Sequence, residues 1–128
     1  MTNTTHCPDD IVLHSDNGAS MHFKGRLFSE STCFDDSTGT LIRLRLFSME
    51  GGGQVYSIIT TSDSQKNRRY YVMRPVGELC EISDGVQTLA LPVEMLFNAV
   101  FGLCGIDPSQ AENLRSSFEE SLKFAVNN

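Results

Sequence analysis

The chain of 128 residues has no apolar run long enough to cross a membrane as a helix. Its longest apolar stretch, residues 89–103, is broken by Pro92, Glu94, Asn98 and Gly102, and a spanning helix needs roughly 20 apolar residues in succession. Basic residues are few. Ten Lys and Arg stand against sixteen Asp and Glu, a formal net charge of -6, which argues against nonspecific nucleic-acid binding by the whole molecule because duplex recognition depends on a surplus of cations. Cysteine is sparse too. Cys7, Cys33, Cys80 and Cys104 include no C-x-x-C pair, so neither a zinc ribbon nor a redox motif is visible. Residues 1–6 lack both the basic and the apolar segment of an export leader, and we expect a cytoplasmic protein with reduced thiols.

Charge is also unevenly placed along the chain. Residues 24–74 hold eight of the ten cations (Lys24, Arg26, Arg43, Arg45, Lys66, Arg68, Arg69 and Arg74) and only five acids. From Pro75 onward eight acids face Arg115 and Lys123 alone. An electrically two-sided molecule is expected, which bears on partners and not on fold.

The first two thirds read as short strands. Residues 11–14 end at Asp16-Asn17-Gly18, a turn by composition. Residues 21–28 alternate and are continued less regularly to Phe34, and Asp35 to Gly39 is again turn-forming. Residues 40–49 and 54–61 flank Glu50-Gly51-Gly52-Gly53 as a hairpin. After a polar loop over residues 62–67 a strand over 68–74 is expected to stop at Pro75. Residues 78–82 and 86–91 surround Ser83-Asp84-Gly85, which has a hairpin-turn signature.

Two helices close the chain. The first opens at Pro92 and is apolar nearly all round up to Cys104, with Gly105 placed for a left-handed cap. The second has Asp107 as N-cap and Pro108 at its first position, followed by the stripe Ala111, Leu114, Phe118, Leu122 and Ala125. Strands first and helices last imply a single α+β domain over residues 1–128. It has an antiparallel sheet of six or seven strands with both helices on one face, and residues 1–9 form a flexible N-terminus.

One sheet face is left without a cover. If Met49 pairs with Gln54 and Thr61 with Arg68, the aliphatic Ile42, Leu44, Leu46, Val55 and Ile59 form the core side. The other side then collects Arg43, Arg45, Phe47, Tyr56, Ile58, Arg69, Tyr71 and Met73. Arg and aromatic residues are enriched in interfaces, so Arg43, Arg45, Phe47, Tyr56, Arg69 and Tyr71 are the candidate binding residues. A protein partner, most simply a second copy in a homodimer, fits that strip. The alternatives are a single-stranded nucleic-acid platform, disfavoured by net charge, or residues 10–34 folding back over the face. The acids Glu112, Glu119 and Glu120, with Glu78, Glu81 and Glu94, suggest an inhibitor or chaperone that holds a basic partner.

No enzyme motif is assembled. The glycine run lacks the Lys-Ser/Thr of a phosphate-binding loop and joins strand to strand. Neither His14 nor His22 has an assignable nucleophile. His6 and Cys7 with His14 and His22 supply nitrogen and sulfur, but only the fold could gather four tetrahedral ligands. No catalytic residue and no cofactor is expected.

Overall fold

Alternation in the first 92 residues and apolar stripes after them produce the expected α+β architecture in a computed structural model. The structure describes residues 9–63 and 65–127, with the side chains of 124–127 left undescribed. Seven strands form one antiparallel sheet in chain order: β1 (Asp9–His14), β2 (Ser20–Asp35), β3 (Thr40–Met49), β4 (Gln54–Ser62), β5 (Gln65–Val76), β6 (Leu79–Ser83) and β7 (Thr88–Pro92). A short 3-10 turn (Val93–Met95) leads into α1 (Leu96–Leu103), and a second (Pro108–Ala111) into α2 (Glu112–Asn127). Among the described residues no helix is long and apolar enough to cross a membrane.

Several boundaries differ from expectation for local reasons. Asp9, counted with the flexible N-terminus, pairs with Gly25 as the first residue of β1, while residues 1–8 lie outside the described part. The polar segment 62–67 is strand up to Ser62 and again from Gln65. Pro75 does not stop β5 but pairs with Cys80. The ladder with β4 ends at Gln54 and Met73, so Pro75 has a strand neighbour on one side only, where a missing N–H is tolerated.

The helix ends follow their sequence signals. Gly105 adopts φ +76°, the Ile106 N–H reaches the Phe101 carbonyl at 2.9 Å, and the Gly105 N–H reaches that of Gly102 at 3.0 Å. These two bonds are a Schellman motif, with Ile106 and Phe101 both in the core beneath it. Asp107 accepts from the Ser109 N–H at 3.0 Å and caps the second helical segment.

The helices close one face of the sheet, the helix face. Leu96, Phe97, Val100 and Phe101 from α1 and Leu114, Phe118 and Leu122 from α2 meet Ile42, Leu44, Leu46, Tyr56, Ile58 and Met73 in the larger core cluster. Phe118 is at the centre of its rings, 4.7 Å from Tyr56, 5.3 Å from Phe97 and 6.3 Å from Phe101. Such aromatic contacts add to what area burial alone supplies.

The opposite, outer face is partly closed by the sheet itself. Strand β2 carries a bulge between Leu27 and Ser29, and bulges bend and twist a strand. The β1–β2 hairpin thereby folds across the outer face. Leu13 and Phe23 pack with Phe47, Val55 and Tyr70 in a second, smaller cluster. Polar contacts hold its tip. The Asp16 N–H donates to the Arg68 carbonyl at 2.9 Å, the Arg68 N–H returns to the Asp16 carboxylate at 2.8 Å, and the Asn17 amide reaches the Asp84 carbonyl at 3.2 Å. Gly85 lies under this tip, where an added Cβ would come within 2.6 Å of both the Ala19 Cβ and the Tyr70 hydroxyl.

Candidate functional site

The β3–β4 register decides which side chains share a face, and it differs by one residue from the expected one. Ser48, not Met49, pairs with Gln54. The connection is therefore five residues long, and Gly51, Gly52 and Gly53 take φ values of +89°, +108° and +91°. Three consecutive positive angles are accessible to glycine and strained for other residues. A one-residue change moves a whole strand's side chains to the other face.

The expected strip is consequently divided. Arg43, Arg45 and Phe47 stay on the outer face, whereas Tyr56, Ile58, Arg69, Tyr71 and Met73 belong to the helix face. Val55 and Ile59, expected in the core with Ile42, move outward. Tyr56 is 0% exposed and gives its hydroxyl proton to Gln54 Oε1 at 2.9 Å. Burial pushes its pKa well above the ordinary tyrosine value. It is a packing residue. Phe47 is buried by the hairpin, as the fold-back alternative anticipated for this part of the face.

Arg69 and Tyr71 do meet at a surface feature, a cleft of about 330 Å³ between the end of α1 and strands β5–β7, lined also by Ile82, Asp84, Leu89 and Leu103. Arg69 donates to the Leu103 carbonyl at 3.4 Å, in the last turn of α1, where a cation complements the negative end of the helix. The Tyr71 hydroxyl lies 3.9 Å from the Cys104 thiol. Burial pushes Tyr71 up to about 12 and Cys104 up to about 11, so at neutral pH both are protonated and the thiol is a poor nucleophile.

What remains open on the outer face lies beyond the hairpin, and the pairing gives it row by row. One row runs Phe34, Leu41, Thr61, Lys66, and the next Thr32, Arg43, Ile59, Arg68. Phe34 is 57% and Leu41 43% exposed. The third row starts with Glu30 and Arg45. Glu30 forms an ion pair with Arg43. Arg45 stacks its guanidinium 5.4 Å from the Phe47 ring and donates to Ser57 at 3.4 Å. Its buried Nε has no hydrogen-bond partner among the described residues.

Phe34, Leu41, Ile59, Lys66 and Arg68 were not among the expected site residues. Phe34 and Leu41 fall out of phase with the buried Cys33 and Ile42 beside them, and that phase was the available signal. Its use required the β2 bulge to be known. The acids Glu112 and Glu119 are engaged by Arg115, at 3.0 and 3.7 Å.

Among the described residues no group of three His, Cys, Asp or Glu side chains is placed to hold a metal ion. His6 and Cys7 lie outside those residues, and the nearest described partner of His22 is Asp10 at 3.5 Å. No protein-family model matches this chain, and no curated protein or solved structure matches it.

Proposed function

We propose that this chain is a non-catalytic binding protein that takes an acidic, partly apolar protein segment on the open end of its outer sheet face. The observation that carries this reading is the exposure of Phe34 and Leu41 side by side, next to Arg43, Lys66 and Arg68. Apolar centre and charged rim are the usual anatomy of an interface, and cations around it select an anionic partner.

A second copy stacked on this face is less suited to it. Twofold stacking would bring Arg43, Lys66 and Arg68 of the two chains together, with Glu30 as the acid in the described rows. A single-stranded nucleic acid is disfavoured for a different reason. Tyr56, Tyr71 and Phe47, the rings that would stack on bases, are buried, and the net charge is -6. The acidic helix is the weaker protein surface because two of its carboxylates, Glu112 and Glu119, are engaged by Arg115 within the chain. We infer a cytoplasmic setting, in keeping with the free thiols of Cys33, Cys80 and Cys104.

The test is a binding titration with three labelled probes at low salt: a peptide alternating Glu with Leu and Phe, its Lys counterpart, and a single-stranded oligonucleotide. The acidic peptide should bind and the other two should not. Arg43→Glu combined with Arg68→Glu should weaken it by more than about tenfold, since charge reversal at an interface acts on several kcal/mol of complementarity. Equal binding by the double variant, or binding of the oligonucleotide alone, ends this reading.

A further inference from the structure

The two edges of the sheet are built differently. Strand β1, at one edge, carries exposed Asp9 and Asp10, the kind of charge that discourages edge-to-edge pairing. Strand β7, at the other, reads Thr88-Leu89-Ala90-Leu91-Pro92 and has no charge; its one edge-blunting residue is Pro92 at its end, which can accept from but not donate to a residue set opposite it. Thr88, Leu89 and Ala90 are exposed, with Leu89 at 48%. On its helix side Leu103, 50% exposed, lines the same cleft as Leu89. On the outer side exposed Leu79 shares a row with Pro92. A strand added here would find apolar neighbours on both of its faces.

We propose that β7 pairs antiparallel with β7 of a second copy about a twofold axis at Ala90, extending the sheet to twice its width. The sequence Leu89-Ala90-Leu91 reads the same in both directions, so the axis sets Leu89 opposite Leu91 of the second copy and Ala90 opposite Ala90. Residues opposite each other in an antiparallel pair share a face, and both helical layers therefore fall on the same side of the joined sheet.

Charge permits the contact although each chain carries -6. The row through Ala90 contains Glu81 and then Arg74, so each Glu81 has a cation beside it. Across the axis the two Glu81 positions are three strand spacings apart, about 14 Å, beyond the Debye length of about 8 Å at physiological salt. The contact is independent of the basic outer face, whose open rows lie on β2–β5.

The experiment is solution mass by light scattering over a dilution series at high salt. The unmodified chain should approach twice 14.2 kDa at the concentrated end. Ala90→Lys and Leu89→Lys should each return it to the single-chain mass while still melting cooperatively, at the midpoint the unmodified chain shows when diluted to single mass, and Arg43→Glu with Arg68→Glu should leave the doubled mass intact. Ala90→Cys, in a chain with Cys7→Ser, supplies a readout that does not rely on a disruptive change. The axis sets the two β-carbons about 5 Å apart, longer than the span of an unstrained disulfide, so a short bis-maleimide should link the chains covalently. An unmodified chain of single mass throughout overturns the proposal. So does a doubled mass that survives both lysine variants or gives no crosslink at position 90. If the single-mass chain instead shows β7 amides protected by the acidic peptide, the edge takes a different partner's strand.

Discussion

The two faces of the sheet are closed by different means. The helix face is covered by residues far away in sequence, with α1 and α2 packing Phe97, Phe101 and Phe118 onto Leu44, Leu46 and Tyr56. The outer face is covered by its own neighbour, the β1–β2 hairpin, and only over the rows from Phe47 to Tyr70. One cover is a large interlocked aromatic cluster. The other is a flap, held by a small cluster and a few polar contacts at its tip. The contrast teaches why one end of the outer face stays open: a hairpin of this reach covers Phe47, Val55 and Tyr70 and stops short of Phe34 and Leu41.

The largest expected effect comes from the centre of the interlocked cover. Phe118→Ala should cost about 3–5 kcal/mol, the usual range for a fully buried ring, because Tyr56, Phe97 and Phe101 all lose a neighbour. Phe23→Ala removes a ring that meets Phe47 edge-on at 5.7 Å under the flap. Its loss should be smaller, since the hairpin can settle into the gap. Urea unfolding of the two variants compares the covers directly, and equal losses would remove the distinction between them.

Next in size is Gly85→Ala. The residue needs φ +93°, and a Cβ would meet Ala19 and Tyr70 at 2.6 Å. The left-handed conformation alone costs a residue with a Cβ roughly 1–2 kcal/mol. The flap should lift before the rest of the fold yields, so amide exchange should quicken in β1 while α2 keeps its protection. Uniform acceleration would mean that the flap and the helical layer open as one unit.

Alkaline titration probes the boundary of the helical cover. The folded-state value of Tyr71, about 12, lies above the ordinary 10 because burial disfavours the phenolate. Stability from this group is therefore complete below pH 10 and is lost as the pH rises toward 12. Tyr71→Phe should make that alkaline limb shallower in pH-dependent unfolding. An unchanged limb would transfer the effect to Cys104, raised to about 11.

The smallest effect is expected on the open end. Arg43 and Glu30 form a surface ion pair with half-exposed side chains, and such pairs contribute about 0–1 kcal/mol. Arg43→Ala should move the melting midpoint very little. A large drop would mean that this residue holds the sheet together and is not reserved for a partner.

Local signals were enough to place most of the strands and turns and the start of the second helical segment, while the expected loop over residues 62–67 is largely strand and Pro92 ends β7, with α1 starting only at Leu96. Alternation marks Thr40–Met49, glycine marks the turns after it, and Asp107-Pro108 marks the start of the second helical segment, because these preferences act over a few neighbouring residues. The α+β class follows from the order of elements alone. The candidate site was legible only in part. Spacing places Arg43 and Arg45 on the outer face, as the register has them, but Tyr56 and Tyr71 fall on the helix face because the glycine-rich loop before Gln54 is one residue longer than expected.

The less regular alternation before Phe34 and the alternative of residues 10–34 folding back over the face only hint at the β2 bulge and the hairpin's return over Phe47, because the contacts that hold the hairpin tip, Asp16 with Arg68 and Ala19 beside Gly85, span some fifty residues or more. The sequence by itself therefore determined which elements form and which stripes are apolar. Register, curl and the choice of exposed rows were left to tertiary structure, because strand side chains repeat every two residues and a slip of one exchanges core for surface at little local cost.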